Sequence, residues 1–316
     1  MRVVIVGAGA LGTCYAALLA RAGAKVAALV RAERRDAYGE TLRVSGLIDA
    51  DAPVRVITSG KGIDRADYLI LATKARDTAG ALSALDGLEV DTALSLQNGL
   101  DKNVALIERY GKDRVIAAAC SVGASLPEPG HARLTMNVAT WLGEPQGEPT
   151  ERIVRLVAAL RAAGFPSHSV RNGSAVEWFK LCFLIPGAVV TALSRRTYRD
   201  MCLHPELAPL WVALMRETYS VPRALGVPLE TPPASPWKVM DWLDQPDDVA
   251  VAGLNEIGRS TAPEMRPSMA QDVLAGRRTE AEEVLAPLIR EAMRAGVAVP
   301  RVEAAYQLIR GLEETF

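Results

Sequence analysis

Met1-Arg-Val-Val-Ile-Val6 runs directly into Gly7-Ala-Gly9-Ala-Leu-Gly12 and then into Thr13-Cys-Tyr-Ala-Ala-Leu-Leu-Ala-Arg-Ala22, which stops at Gly23. The first piece has the length and apolar character of a buried strand. The third has the Ala- and Leu-rich composition of a helix closed by a glycine. A strand, a glycine turn and a helix in this order open a dinucleotide-binding βαβ unit. In such a unit Gly7 permits the tight turn, Gly9 lets backbone approach a pyrophosphate, and Gly12 lets the helix pack on the strand. The N–H groups at the head of the helix, from Ala10, Leu11 and Gly12, then face the pyrophosphate.

Residues 23–30 supply the second strand, and Arg31 follows it at once. This position meets the adenosine ribose, where an acidic residue suits the 2′-hydroxyl of NAD. A guanidinium pairs instead with a 2′-phosphate, so Arg31 predicts NADP. Arg34 and Arg35 lie close behind, and at least one of them begins a solvated face. The segment 42–57 reads as an irregular hairpin, with strands at 44–47 and 54–57. Residues 67–72 form a buried strand that ends in Thr73-Lys74-Ala75, and 92–96 form another that ends in Gln97-Asn98-Gly99. Ligands of an open parallel sheet bind beyond the carboxyl ends of its strands, so Lys74 and Asn98 fall on the cofactor side. Residues 115–120 read as a strand and 123–144 as an antiparallel pair turning at Pro129-Gly130. A helix at 150–163 and a strand at 166–170 complete the first domain, residues 1–170.

Beyond residue 171 the pattern is helical to residue 316. The expected class is therefore α/β, an N-terminal Rossmann domain followed by an all-helical C-terminal substrate domain. Residues 175–193 predict a long apolar helix, 205–225 an amphipathic one, and 268–274 and 279–295 two more, the last opened by a Thr279-Glu280 cap. Residues 245–266 read as a mobile connection with a helical core.

The chain has 316 residues, 49% of them hydrophobic and 23% charged, with a formal net charge of −1. That balance is globular and excludes a nucleic-acid surface or a polybasic membrane anchor. Cys14, Cys120, Cys182 and Cys202 are scattered, with no metal-ligand spacing, and read as buried thiols in a reducing cytoplasm. The apolar N-terminus is broken by glycines and continues into a second strand, unlike a signal peptide. The apolar run 181–193 is short, contains Pro186 and reads as a buried helix, so no membrane span is expected.

Two stretches of the helical domain could carry chemistry. In Glu177-Trp-Phe-Lys180-Leu-Cys-Phe-Leu184 a lysine opens an apolar run. Burial of its ammonium would lower its pKa toward neutrality, whereas snorkelling at the end of a core helix would leave it ordinary. In Arg266-Pro-Ser268-Met-Ala-Gln-Asp272, Ser268 and Asp272 lie one turn apart on one face, and Glu280 opens the next helix. Spacing alone favours a solvated surface with ordinary caps.

The glycine turn, Lys74, Gln97-Asn98-Gly99, Pro129-Gly130, Trp178-Phe-Lys180-Leu181 and Arg266-Pro-Ser268-Met-x-Gln-Asp272 with Thr279-Glu280 follow an order and spacing that resemble the ketopantoate reductase family over nearly the whole chain. The resemblance implies NADPH-dependent 2-dehydropantoate 2-reductase activity, in pantothenate and CoA biosynthesis, with a substrate cleft between the domains. It implies Lys180 as the general acid and Glu280 as the acidic residue that holds the lysine and a substrate hydroxyl. It implies Ser268 as a carboxylate-binding residue, with Asn98 and Lys74 beside nicotinamide and substrate. The partner it implies is a small 2-oxo acid, with a homodimer as the candidate assembly; the sequence itself does not set the oligomeric state. One departure alters the expectation. The family places asparagines one and two turns after the lysine, and here those positions are Leu184 and Ala188, which predicts a more apolar pocket. A reductase of another 2-oxo acid or of an imine, and an NADPH-binding sensor without turnover, are the competing readings. The pair Lys180 and Glu280 argues against the sensor, which needs no acid.

Overall fold

The computed structural model describes all residues, Met1–Phe316. The chain divides into two compact units. The first comprises Met1–Gln97, Lys102–Val176 and Pro232–Ala234, and the second Asn98–Asp101, Glu177–Thr231 and Ser235–Phe316.

In the first unit the elements follow as β1 (Arg2–Val6), α1 (Ala10–Arg21), β2 (Lys25–Leu29), β3 (Thr41–Gly46), β4 (Ala50–Pro53), β5 (Arg55–Ile57), β6 (Arg65–Leu71), α2 (Thr78–Ser83), β7 (Glu89–Ser95), α3 (Val104–Tyr110), β8 (Ala117–Glu128), β9 (His131–Gly143), α4 (Glu151–Ala162) and β10 (Ser167–Ser169). One sheet is wholly parallel, in the order β5-β2-β1-β6-β7. From β1 the chain moves first to one side, to β2, and later to the other, to β6. The switch point therefore lies at the carboxyl ends of β1 and β6, where ligands of such sheets bind. β1 and β6 are nearly continuous apolar runs, Val3–Val6 and Tyr68–Leu71 all being buried, as strands covered on both faces require.

A second sheet has the order β10-β9-β3-β4, with β8 antiparallel to β9. Helix α1 packs against strands of both sheets. That double burial explains why Gly12 to Leu19 are all buried and why the helix is so rich in Ala and Leu. The expected hairpin over 42–57 is only half present. β3 and β4 pair antiparallel, with Val44 opposite Ala50, but residues 55–57 leave the pair and join β2 in parallel. Pro53 offers no N–H to extend the ladder, and Val56 and Ile57 find burial on the other sheet.

The helical part contains α5 (Gly173–Ser194), α6 (Tyr198–Leu203), α7 (Leu207–Ala224), α8 (Val239–Trp242), α9 (Asp247–Ser260), α10 (Ser268–Leu274), α11 (Ala281–Ala295) and α12 (Pro300–Glu313). α5 is long and apolar enough to cross a membrane by length and composition alone, but 67% of its most apolar stretch is buried within the fold. It is the centre of a core that includes Phe179, Ile185, Trp211, Tyr219, Leu285 and Leu288. Of the mobile connection with a helical core expected over 245–266, the helical core is present as α9 and takes up most of the segment. Its amphipathic pattern packs Ala250, Leu254 and Gly258 inward, against α6 and α7. Gly258 makes that approach close, because a Cβ there would stand 2.6 Å from Cys202 Cβ.

Pro186 lies inside α5 and has no N–H to give the carbonyl of Cys182, four residues earlier. The hydroxyl of Thr218 on α7 lies 3.1 Å from that carbonyl and shares its one hydrogen between it and the Met215 carbonyl at 2.8 Å. One turn earlier the Tyr219 hydroxyl donates to the Phe179 carbonyl at 2.9 Å. The backbone on either side of Lys180 is thus pinned by α7.

Candidate active site

The first unit presents the glycine turn at the switch point. Gly7 has φ +99°, and a Cβ on it would lie 2.6 Å from Thr73 Cγ2, the residue just past β6. A Cβ on Gly12 would fall 1.8 Å from the Gly7 carbonyl oxygen, so helix and turn meet backbone to backbone. Nothing lies within 4 Å of the Cβ position of Gly9, which leaves the backbone there open to approach. Ala10 and Leu11 are half-buried at the head of α1, and no side chain caps the helix. Its first-turn N–H groups are therefore not consumed by a cap, which is the arrangement that receives a pyrophosphate.

Arg31 stands after β2 with its side chain 64% exposed and only a loose 3.6 Å pairing to Glu33. Tyr38, which no local pattern in the sequence marks, ties this region to the turn. It is buried at the end of the 3-10 segment Ala32–Ala37 and donates to the Ala8 carbonyl at 2.8 Å. Burial raises its pKa, and the guanidinium groups of Arg34 and Arg31 oppose the rise. The residues present fit a dinucleotide carrying a 2′-phosphate.

Lys74 is half-buried just past β6, at the head of a short 3-10 turn. Its neighbourhood is fixed by Gln97, to which the sequence alone assigns no role. The Gln97 amide donates to the Thr73 carbonyl (2.9 Å) and to the Thr78 hydroxyl (2.8 Å), and its oxygen accepts from the Ser95 hydroxyl (3.1 Å). One buried amide thereby ties the end of β7 to the end of β6.

In the second unit, the Lys180 ammonium donates to Asn98 Oδ1. Asn98 opens the segment Asn98–Asp101, which lies along α11. Gly99 has φ +96°, and a Cβ on it would stand 2.3 Å from the Glu283 carbonyl oxygen. Further along, Asp101 pairs with Arg290 at 2.8 Å. Lys180 and Asn98 therefore meet beside the first turn of α11, where Glu280 occupies the N-cap position.

The expected Thr279-Glu280 cap takes a different form: the Thr279 hydroxyl accepts from the Ala281 N–H at 3.1 Å, and the Glu280 side chain makes no cap bond. Ser268 opens α10 and is exposed, whereas Asp272 is buried and accepts from the Arg277 guanidinium at 2.9 and 3.1 Å. Asp272 is thus not part of a solvated face. One turn after Lys180, Leu184 is half-buried, and Ala188 beyond it is buried. Phe183 stacks on Trp237 with centroids 4.5 Å apart. All four cysteines are unbridged and buried, and burial pushes the Cys14 and Cys202 thiols up to about 12.

Sequence profiles described as Ketopantoate reductase PanE/ApbA and as its C-terminal region match residues 3–147 and 173–313. A relative from Archaeoglobus fulgidus, described as 2-dehydropantoate 2-reductase, is 27% identical over 312 residues, covering 99% of this chain and 98% of its own. The crystal structure of a PanE/ApbA family ketopantoate reductase from Ralstonia eutropha superposes with a TM-score of 0.80 at 28% identity, covering 100% and 99% of the two chains. That of a 2-dehydropantoate 2-reductase from Geobacter metallireducens gives 0.82 at 26% identity, covering 98% and 99%.

Proposed function

Since the chain belongs to the ketopantoate reductase PanE/ApbA family, we propose that it is an NADPH-dependent reductase that converts a 2-oxo acid to the 2-hydroxy acid, with 2-dehydropantoate as substrate and pantoate as product. The observation that carries this reading is the Lys180–Asn98 hydrogen bond beside the head of α11, in a chain that also builds a dinucleotide turn. NADPH, when bound, supplies the hydride for the carbonyl carbon. The turn Gly7–Gly12 and the head of α1 hold the pyrophosphate, and Arg31 holds the 2′-phosphate.

Lys180 does the acid work. Charge develops on the carbonyl oxygen as the carbon is reduced, and an ammonium aimed at that oxygen stabilises the charge and then quenches it with a proton. Asn98 accepts one of the three ammonium hydrogens and so fixes the direction of the others. Glu280 holds the ammonium and a substrate hydroxyl, Ser268 receives the substrate carboxylate, and Lys74 lies by the carboxylate and nicotinamide. Lys180→Ala tests the assignment: NADPH oxidation should stop while NADPH binding, followed by fluorescence, persists. A sensor would bind NADPH without turnover already as wild type, and unchanged turnover in the variant would refute the role of Lys180.

A second reading of the substrate rests on Leu184 and Ala188, which offer no hydrogen bonds along the wall of α5 beyond Lys180. A substrate hydroxyl left unpaired there favours an apolar 2-oxo acid. Turnover of 2-dehydropantoate compared with 3-methyl-2-oxobutanoate, which lacks the hydroxymethyl group, separates the two. For assembly we propose a cytoplasmic homodimer that buries apolar surface of the second unit, where Leu203, Leu210 and Val249 are exposed. Light scattering that returns a monomer mass would overturn it.

A further inference from the structure

We propose that Glu313, at the very end of the last helix, is a positioning residue for Glu280; the proposal rests on the reading of Glu280 as the acidic partner of Lys180. Glu313 Oε1 accepts from both the N–H and the hydroxyl of Thr279, at 2.7 and 2.5 Å. Its other oxygen accepts from Arg310 at 2.8 Å. Thr279 is 1% exposed and the Glu313 side chain 7%, so these bonds are shielded from competing water.

The geometry brackets Glu280. Residue 279 is clamped through its N–H and hydroxyl to α12. Residue 281 is clamped through its N–H to the same Thr279 hydroxyl. The side chains that ordinarily turn back from an N-cap onto the orphan N–H groups of the first turn are those of Asp, Asn, Ser and Thr, and Glu is not among them. Here Thr279 serves Ala281 from one position upstream, and the Glu280 side chain makes no cap bond. Glu313 thereby fixes the backbone from which Glu280 projects and leaves its carboxylate to be directed elsewhere. The clamp also joins the terminal turn of the chain to the site: α12 is tied to α11 again where Tyr306 donates to Glu282 at 2.5 Å.

The test is a cycle of four full-length proteins, wild type, Glu313→Ala, Glu280→Gln and the double variant, assayed by NADPH oxidation with 2-dehydropantoate and, in parallel, 3-methyl-2-oxobutanoate. Glu313→Ala should lower kcat roughly 10-fold with the KM for NADPH unchanged, as displacement of a catalytic partner does. In the Glu280→Gln background the same change should have no further effect on kcat. Thr279→Val should reproduce the loss, and Thr279→Ser, which keeps both hydrogen bonds of the hydroxyl, should retain the wild-type rate. This pair also decides the matter if Glu313→Ala fails to fold. Equal losses in both backgrounds, or a loss of thermal stability with kcat intact, would overturn the proposal while leaving Glu280 in its role. Wild-type kcat in Glu280→Gln itself would instead remove the reading on which the proposal rests.

Discussion

Gly99→Ala is the sharpest perturbation available, because it reaches the site without altering any group that bears chemistry. The new Cβ would lie 2.3 Å from the Glu283 carbonyl oxygen. An ordinary contact at that point begins near 3.4 Å, so the segment Asn98–Asp101 must retreat from α11 by about 1 Å, a displacement that can cost on the order of 100-fold in rate when it misplaces a reacting group. Asn98 moves with it and takes the Lys180 ammonium out of line. The φ of +96° adds strain of about 1–3 kcal/mol, small beside the roughly 5–15 kcal/mol that holds a typical domain, so the protein should still fold. The control is Gly296→Ala at the other end of α11. That glycine also has positive φ, +67°, but nothing lies within 4 Å of its Cβ position. Steady-state NADPH oxidation should show kcat reduced on the order of 100-fold in Gly99→Ala and unaltered in Gly296→Ala, with both variants losing on the order of 1 kcal/mol or more by urea titration. Equal kcat in the two variants would refute the argument that Gly99 seats Asn98 against α11.

Three further outcomes are expected. Arg31→Ala should raise the Kd for NADPH roughly 10–100-fold, the loss of about 1.5–3 kcal/mol of charge-assisted bonding, and leave NADH nearly unaltered; equal weakening of both would remove the 2′-phosphate role. Thr218→Val removes the hydroxyl shared by the Cys182 and Met215 carbonyls and should cost about 1–3 kcal/mol in urea unfolding, and the part of the cost that falls on Cys182 should disappear in a Pro186→Ala background, where the helix recovers its own N–H. Glu144 is held below the usual carboxylate range chiefly by its hydrogen bonds from Arg152, burial opposing them. A depressed folded pKa means that the contribution is full above the usual carboxylate range and is lost as pH falls through the folded value. Glu144→Gln should therefore lower stability at neutral pH and flatten its acid decline, and an unchanged acid limb would refute the linkage.

The parts of this molecule that depend on near neighbours in the chain are legible in the sequence by itself. The strand, the glycine turn and α1 are one continuous stretch, and their apolar period and glycine spacing encode the local geometry directly. The parallel strands ending at Lys74 and Asn98 are legible for the same reason. Residues 54–57 mislead, because a short apolar run does not say which sheet it joins, and only the available edge of β2 decides. Of α9 only a helical core is legible, because the extent of the helix is set once α6 and α7 supply the surface its amphipathic face packs on. The site divides in the same way. Lys180 stands out locally as a charge opening an apolar run, but the partner that holds it lies 82 residues away. Tyr38 on Ala8, Gln97 on Thr73 and Glu313 on Thr279 carry no local signal at all. Each joins elements whose adjacency is created by packing, and a hydrogen bond between distant residues exists only after burial has brought them together and excluded the water that would otherwise satisfy them.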